Sequence, residues 1–315
     1  MKIVFLDAAT LGSDLSTDSF LRFGEVVTYS GTAPDEVAER IADADVLVLN
    51  KVKINAQNLP SDHHIKLICI TATGFDNVDL EVCKKQGIAV CNVVGYSTQS
   101  VAQVTVSMVL SLMTHLAEYN HYVRDGFYTK SGVPNRLIPI YHEIAGKTWG
   151  IVGYGNIGRQ VSRVAEALGC RVLVHKRVPV SDAECVDFDT ICQKSDILTL
   201  HTPLSEETYH LLDAEHVKMM KKGAMVVNVA RGAVADEAAL AEAIQGGHLG
   251  GLGVDVYSAE PMAEDHPFQA IKALPNVCLT PHMAWGAYET RVRLLDEVLE
   301  NIVSFINGEK RNRLV

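Results

Sequence analysis

The chain has 315 residues, which is long for one ordinary domain and fits two. Hydrophobic residues make up 48% and charged residues 21%, which excludes a generally disordered chain. The net charge of −10 argues against nucleic acid or an anionic membrane as the main partner. Seven cysteines without a CxxC pair indicate reduced thiols in a cytoplasmic protein, with no zinc site or other metal site. The longest apolar stretch is interrupted by polar residues, so no segment is expected to span a bilayer.

Short apolar runs alternate with longer amphipathic stretches, a pattern that predicts parallel sheet with crossover helices. The first predicted strands are residues 3–6, 26–29, 46–49, 67–70 and 89–91, with a helix over 34–42. A long helix is predicted from Ser100 to about Tyr122, followed by an irregular arm over 124–147.

A second series of predicted strands follows at residues 148–152, 171–174, 197–200, 224–228, 251–255 and 277–280. A final helix over 287–307 ends at Gly308, a common helix stop signal. Two α/β series in one chain predict two doubly wound parallel-sheet units, with the long helices as connectors.

A glycine-rich sequence lies between the predicted strand 148–152 and a helical pattern over 159–168. Gly153 permits a tight turn, Gly155 lets a pyrophosphate approach the backbone, and Gly158 lets helix and strand pack closely. The amides at the helix N-terminus would bind the phosphates. This context favours dinucleotide binding over a simple glycine-rich turn.

The strand after this loop ends in His175, Lys176 and Arg177, where an NAD-binding site would place a carboxylate for the ribose hydroxyls. The two longer cations suit the ribose phosphate of NADP. The alternative is that Lys176 and Arg177 only form a solvated strand end.

An arginine, a glutamate and a histidine follow three later strands, as Arg231, Glu260 and His282. Arginine can grip a carboxylate at two points and polarise a carbonyl. Histidine exchanges protons near neutral pH, and a neighbouring carboxylate favours its charged form. Each residue alone is more often a surface cation, a cap partner or a loop histidine, but the set predicts carbonyl chemistry.

At this point the whole chain resembles the D-isomer-specific 2-hydroxyacid dehydrogenase family. The resemblance is carried by TGFDNVD at 73–79, GYGNIG at 153–158, NVARG at 228–232, DE at 236–237 with Leu240, GGLGVDV at 250–256, EP at 260–261 and TPH at 280–282. It implies a Rossmann nucleotide-binding domain over 99–285 and a flavodoxin-like substrate domain over 1–98 plus 286–315. It also implies an active-site cleft between them and a homodimer formed through the nucleotide domain and the arm after Tyr122.

The resemblance implies that His282 is the acid/base, Glu260 its partner and Arg231 the substrate anchor. The amides of Thr73 and Gly74 would hold the substrate carboxylate. Besides the three glycines, the implied cofactor contacts are Asn156, Ile157, Thr202, Pro203, Val229, Ala230 and Asp255.

Two departures from the family pattern stand out. The usual aspartate after the second nucleotide-domain strand is replaced by His175, Lys176 and Arg177, so the expected cofactor is NADP or NAD. Gln103 stands where the family usually has glutamate.

Within the family, ITATG at 70–74 and PHMAW at 281–285 resemble the glycerate dehydrogenases, also called hydroxypyruvate reductases. The leading hypothesis is a reductase of small 2-keto acids, with hydroxypyruvate as the best substrate and glyoxylate second. Alternatives are a dehydrogenase for another acid such as D-lactate and a non-enzymatic NAD(H)-sensing regulator on the same fold. A formate dehydrogenase would pair its histidine with glutamine, and Glu260 counts against it.

Overall fold

The computed structural model describes all of residues 1–315. The strands are β1 Lys2–Phe5, β2 Glu25–Thr28, β3 Val46–Leu49, β4 Leu67–Ile70, β5 Ala89–Cys91, β6 Thr148–Val152, β7 Arg171–His175, β8 Ile197–Leu200, β9 Met225–Asn228, β10 Gly251–Val254 and β11 Val277–Leu279. The helices are α1 Val37–Ile41, α2 Leu80–Lys85, α3 Thr98–Thr114, α4 Leu116–Arg124, α5 Phe127–Ser131, α6 Asn156–Ala167, α7 Phe188–Lys194, α8 Ala214–Met219, α9 Glu237–Gln245 and α10 Tyr288–Ile306. Short 3-10 helices lie at Ala8–Leu11, Asp18–Phe23, Gly232–Val234 and Pro267–Ala270.

The chain divides into two compact units, residues 1–97 with 286–315 and residues 98–285. In the first unit all strands are parallel, in the order β2-β1-β3-β4-β5, which is the flavodoxin-like order. Strands β3 and β4 are buried along their whole length, which explains their unbroken apolar sequences. Helix α10 packs on β4 and buries Leu294, Val298 and Ile302, which share one face.

The second unit has a six-stranded parallel sheet in the order β11-β10-β9-β8-β6-β7. Beyond β7, Val174 forms a parallel bridge with Cys185, so the segment around Cys185 takes the place of a third edge strand. With that segment the order is 3-2-1-4-5-6-7, which is the Rossmann order 3-2-1-4-5-6 extended by β11. The predicted class of two doubly wound parallel sheets is confirmed.

The predicted single helix from Ser100 to about Tyr122 is wrong. His115 adopts a left-handed backbone conformation with φ of 52°, which ends α3, and the chain restarts as α4 with a bend of 64°. The arm that follows is also not wholly irregular, because it contains the short helix α5. No proline or glycine lies near His115 to mark the break in the sequence.

No single helix is long and apolar enough to cross a membrane, and only the bent pair α3 and α4 reaches that length and composition together. All seven cysteines are free thiols. No cluster of three or more His, Cys, Asp or Glu side chains is arranged to hold a metal ion.

Candidate functional site

The glycine loop connects β6 to α6 at the point where the strand order of the second sheet reverses. A Cβ on Gly153 would lie 2.7 Å from the carbonyl carbon of His201 and the nitrogen of Thr202, so only glycine fits there. A Cβ on Gly158 would collide with the Gly153 carbonyl oxygen, which shows how closely α6 packs on β6.

Gly155 differs from these two glycines because nothing lies within 4 Å of its hypothetical Cβ. It is the N-cap of α6 and provides no side-chain cap, so the amides of Asn156 and Ile157 at the helix start have no intrahelical acceptor. An open, donor-rich helix N-terminus fits the pyrophosphate of a dinucleotide.

The three residues at the end of β7 lie in different surroundings. The ring of His175 meets Phe188 edge-on, with centroids 5.2 Å apart, and its Nδ1 lies 3.2 Å from the Val186 carbonyl oxygen. Arg177 pairs with Glu207 at 3.2 Å on the surface. Lys176 is half-buried and has no hydrogen bond or ion pair with the chain. Lys176 is therefore the cation best placed to meet an added phosphate, and the cofactor role of all three stays a prediction.

Arg231 lies in a turn after β9 that the buried Asn228 shapes. The Asn228 side chain accepts a hydrogen bond from the Ala230 amide at 3.0 Å and donates one to the Arg231 carbonyl at 2.9 Å. The Arg231 guanidinium donates to the Ala230 carbonyl at 2.8 Å, and its other N–H groups have no acceptor within the chain. Those N–H groups are suited to an anionic ligand.

Glu260 and His282 are brought together from the loops after β10 and β11. The His282 Nδ1 lies 2.7 Å from Glu260 Oε2, and each side chain is about a quarter exposed. His282 has a left-handed backbone with φ of 53°. Such strain in a residue other than glycine persists only where the surroundings hold it.

Asp255 is the residue that holds the His282 loop. Its buried carboxylate accepts hydrogen bonds from the Thr280 hydroxyl at 2.6 Å, the Met283 amide at 2.8 Å and the Ala284 amide at 2.9 Å. These bonds span the loop on both sides of His282. The predicted contact of Asp255 with the cofactor is not tested by this geometry.

Thr73 and Gly74 belong to the first unit and lie in the turn that follows β4. The Asn92 side chain donates to the Thr73 carbonyl at 2.7 Å, and the Thr73 hydroxyl donates to the Val93 carbonyl at 2.8 Å. The backbone amides of Thr73 and Gly74 have no acceptor within the chain. Two adjacent unpaired amides are consistent with the predicted carboxylate site.

His201, at the end of β8, was missed by the sequence analysis. Both ring nitrogens are shielded from solvent and have no hydrogen-bond partner. Burial lowers the pKa of this imidazole to about 3, so the ring is neutral at ordinary pH. The available signal was a histidine that directly follows a buried, mainly apolar strand and precedes the predicted contacts Thr202 and Pro203.

Comparison with known proteins connects this geometry to one family. Residues 106–284 match the model of the D-isomer specific 2-hydroxyacid dehydrogenase NAD binding domain. The chain is 38% identical over 313 residues to a glycerate dehydrogenase of Methylorubrum extorquens, covering 99% of this chain and 98% of that protein. The chain belongs to the D-isomer specific 2-hydroxyacid dehydrogenase family.

Two further comparisons extend the result. A hydroxypyruvate reductase of Blautia hydrogenotrophica is 33% identical, with 99% of each chain covered. A solved acyclic imino acid reductase in complex with NADPH and D-Arg is 26% identical, with a TM-score of 0.88 and all of both chains covered. This dehydrogenase transfers hydride between a nicotinamide cofactor, NAD or NADP, and a 2-keto or D-2-hydroxy acid.

Proposed function

We propose that this dehydrogenase reduces hydroxypyruvate to D-glycerate, with glyoxylate as the second substrate. The observation that carries the reduction chemistry is the 2.7 Å contact between His282 Nδ1 and Glu260 Oε2, and the relatives named glycerate dehydrogenase and hydroxypyruvate reductase favour this acid. Because Nδ1 faces the carboxylate, Nε2 is the nitrogen that serves the substrate. The bound nicotinamide supplies hydride to the keto carbon.

The chain's own residues then perform three tasks. His282 donates its Nε2 proton to the carbonyl oxygen, and Glu260 stabilises and orients the imidazolium that makes the donation. Arg231 holds the carboxylate and the carbonyl with the N–H groups that have no acceptor within the chain. The family resemblance adds the amides of Thr73 and Gly74 as proposed donors to the substrate carboxylate.

A phosphorylated acid would need additional cations near the carboxylate site. The first 120 residues contain two arginines, and both are engaged elsewhere. Arg40 pairs with Glu36 at 2.7 Å, and Arg22 lies over the ring of Phe23. Lys51, after β3, is one further cation of this region. The scarcity of arginines favours an acid without a phosphate.

A bulky aromatic acid would need an open apolar pocket. Phe75 follows Gly74, and Trp285 follows His282 by three residues, so large side chains accompany the predicted substrate contacts. The relatives named glycerate dehydrogenase and hydroxypyruvate reductase agree with a small polar acid.

The test is to measure kcat/KM for hydroxypyruvate, glyoxylate, pyruvate, phenylpyruvate and phosphohydroxypyruvate with NADH and NADPH in parallel. Hydroxypyruvate is expected to give the highest value. His282→Gln is the control, expected to lose roughly 10²–10⁴-fold in turnover while it still binds cofactor. A higher kcat/KM for pyruvate, phenylpyruvate or phosphohydroxypyruvate would contradict the substrate, and near wild-type turnover of the variant would contradict the mechanism.

We also propose that residues 98–285 form the cofactor domain and that residues 1–97 with 286–315 form the substrate domain. The family match to an NAD binding domain over 106–284 supports this division. Seven free cysteines agree with a reducing compartment such as the cytoplasm. A homodimer is proposed on the family resemblance and on the exposed arm.

A further inference from the structure

A buried hydrogen-bonded pair is formed by Glu237 at the start of α9 and His266 before the last 3-10 helix. The His266 Nε2 lies 3.0 Å from Glu237 Oε2. Their side chains are 10% and 4% exposed, so the pair is withdrawn from solvent. A buried carboxylate is costly unless it is fully partnered, and such a residue is rarely placed without a role.

Hydrogen bonds determine how the pair is protonated. The His266 Nδ1 accepts a hydrogen bond from the Phe268 amide at 3.2 Å, so the ring hydrogen sits on Nε2 and is donated to Glu237. The other oxygen of Glu237, Oε1, accepts the Ser258 amide at 3.0 Å. Glu237 therefore connects His266 to the loop that carries Glu260.

The segment around the peptide between Tyr257 and Ser258 contacts groups at or near all three proposed catalytic residues. The Tyr257 amide donates to Glu260 Oε1 at 3.2 Å, and the Tyr257 hydroxyl donates to the Thr280 carbonyl, two residues before His282. A Cβ on Gly232 would collide with the same peptide, so the residue after Arg231 packs directly against it.

Tyr257 also contacts one member of the pair, His266, directly. Its ring meets the His266 ring edge-on, with centroids 5.9 Å apart. Burial, followed by nearby carboxylates, raises the pKa of Tyr257 to about 12, so its hydroxyl stays a hydrogen-bond donor to Thr280 over the working pH range.

We propose that Glu237 and His266 are positioning residues of the reaction, because they fix the Tyr257–Ser258 peptide and thereby the contact of Glu260 with His282. The inference rests on the proposed pairing of Glu260 with His282 and assigns neither residue a contact with substrate. Loss of the pair leaves Glu260 on a loop with fewer contacts and weakens its support of the imidazolium.

The main test is Glu237→Gln. The amide can still accept one hydrogen bond but must direct its NH₂ group at a neighbouring donor, either Ser258 or His266. We expect kcat to fall about tenfold, within the range of coupling between contacting residues, with the KM for cofactor unchanged. In the pH profile of kcat for reduction, the fall at high pH should begin at lower pH, because Glu260 stabilises the His282 imidazolium less well.

Two further variants separate positioning from general stability. Glu242→Gln makes the same chemical change at an exposed position of α9 and should leave kcat and the pH profile unchanged. His266→Asn keeps an N-cap acceptor for Phe268 but is too short to reach Glu237, and it should reproduce the effect of Glu237→Gln. If Glu237→Gln folds poorly, a fall in kcat of about tenfold and a shifted alkaline limb in a folded His266→Asn would still support the pair.

A double-mutant cycle with Glu260→Gln decides whether the effect passes through Glu260. Glu237→Gln should cause less than about a twofold further loss in that background. The same loss in both backgrounds, or an unmoved alkaline limb, would overturn the positioning role while leaving the proposed function intact. If Glu260→Gln alone changes neither kcat nor the pH profile, the proposed role of Glu260 fails and this inference fails with it.

Discussion

Single residues at the end of β7 are predicted to decide which cofactor this dehydrogenase prefers. The sequence offers no carboxylate for the ribose hydroxyls of NAD, and the half-buried Lys176 makes no hydrogen bond or ion pair and is only attracted electrostatically to Asp182. We expect NADPH to be accepted as well as or better than NADH, and Lys176→Asp to shift the ratio of kcat/KM values toward NADH.

Arg177→Asp is the matched comparison, because Arg177 already pairs with Glu207 and is highly exposed. A surface ion pair of this kind contributes little, so this variant should shift the ratio less. If Lys176→Asp gives no shift toward NADH, the strand-end cations only face solvent.

A single residue, His201, is expected to lower the stability of residues 98–285 at acid pH. Its pKa is lowered to about 3 in the folded protein by burial, against about 6.5 in the unfolded chain. The unfolded chain therefore binds the proton first, so stability is complete above about pH 6.5 and is lost as the pH falls toward 3. Between pH 7.5 and 5 this group alone should cost about 2 kcal/mol of unfolding free energy.

The measurement is urea unfolding at the two pH values, followed by tryptophan fluorescence. Both tryptophans, Trp149 and Trp285, lie within residues 98–285, so the signal reports this unit. His201→Asn removes the titrating group and should lose about 2 kcal/mol less than the wild type over the same range. Equal losses of unfolding free energy in both proteins would show that other groups control the fall in stability at low pH.

At the scale of elements, substitutions in the glycine loop can separate effects on cofactor binding from effects on the packing of α6 against β6. Gly158→Ala places a Cβ against the Gly153 carbonyl, so α6 must move away from β6. Gly155→Ala meets nothing within 4 Å, so it should fold normally. We expect Gly158→Ala to lower both the unfolding midpoint and the affinity for cofactor.

We expect Gly155→Ala to lower the affinity alone, because its methyl group occupies the space of the pyrophosphate. Thermal unfolding and titration with NADPH on both variants are the measurements. An unchanged affinity in Gly155→Ala would mean that the phosphates do not lie over this glycine.

The strands could be predicted almost to the residue, whereas the long helix could not. Parallel strands buried on both faces, such as β3 and β4, are short apolar runs bounded by polar residues, so their ends are visible. The break at His115 depends on a local backbone conformation that neither the apolar pattern nor a glycine or proline announces.

Residues of the proposed site could be predicted where a sequence motif contains the reactive side chain itself. Arg231, Glu260 and His282 each follow a strand, and neighbouring parallel strands bring such ends together. The supporting network could not be predicted, because Glu237 and His266 reach the Tyr257–Ser258 peptide only through tertiary packing. In the sequence they are an ordinary helix-start glutamate and a loop histidine.

At the scale of the whole molecule, the arm after α4 predicts self-association. Leu137, Ile138 and Ile140 are 71%, 69% and 72% exposed within one short segment, an apolar surface that monomers rarely leave uncovered. We expect the wild type to sediment as a dimer and the double variant Leu137→Lys, Ile140→Lys to sediment as a monomer, because buried lysines oppose association. Leu21→Lys, at a 56% exposed leucine of the first unit, is the control that should remain dimeric. A monomeric wild type, or an arm variant that remains dimeric, would show that this segment does not form the interface.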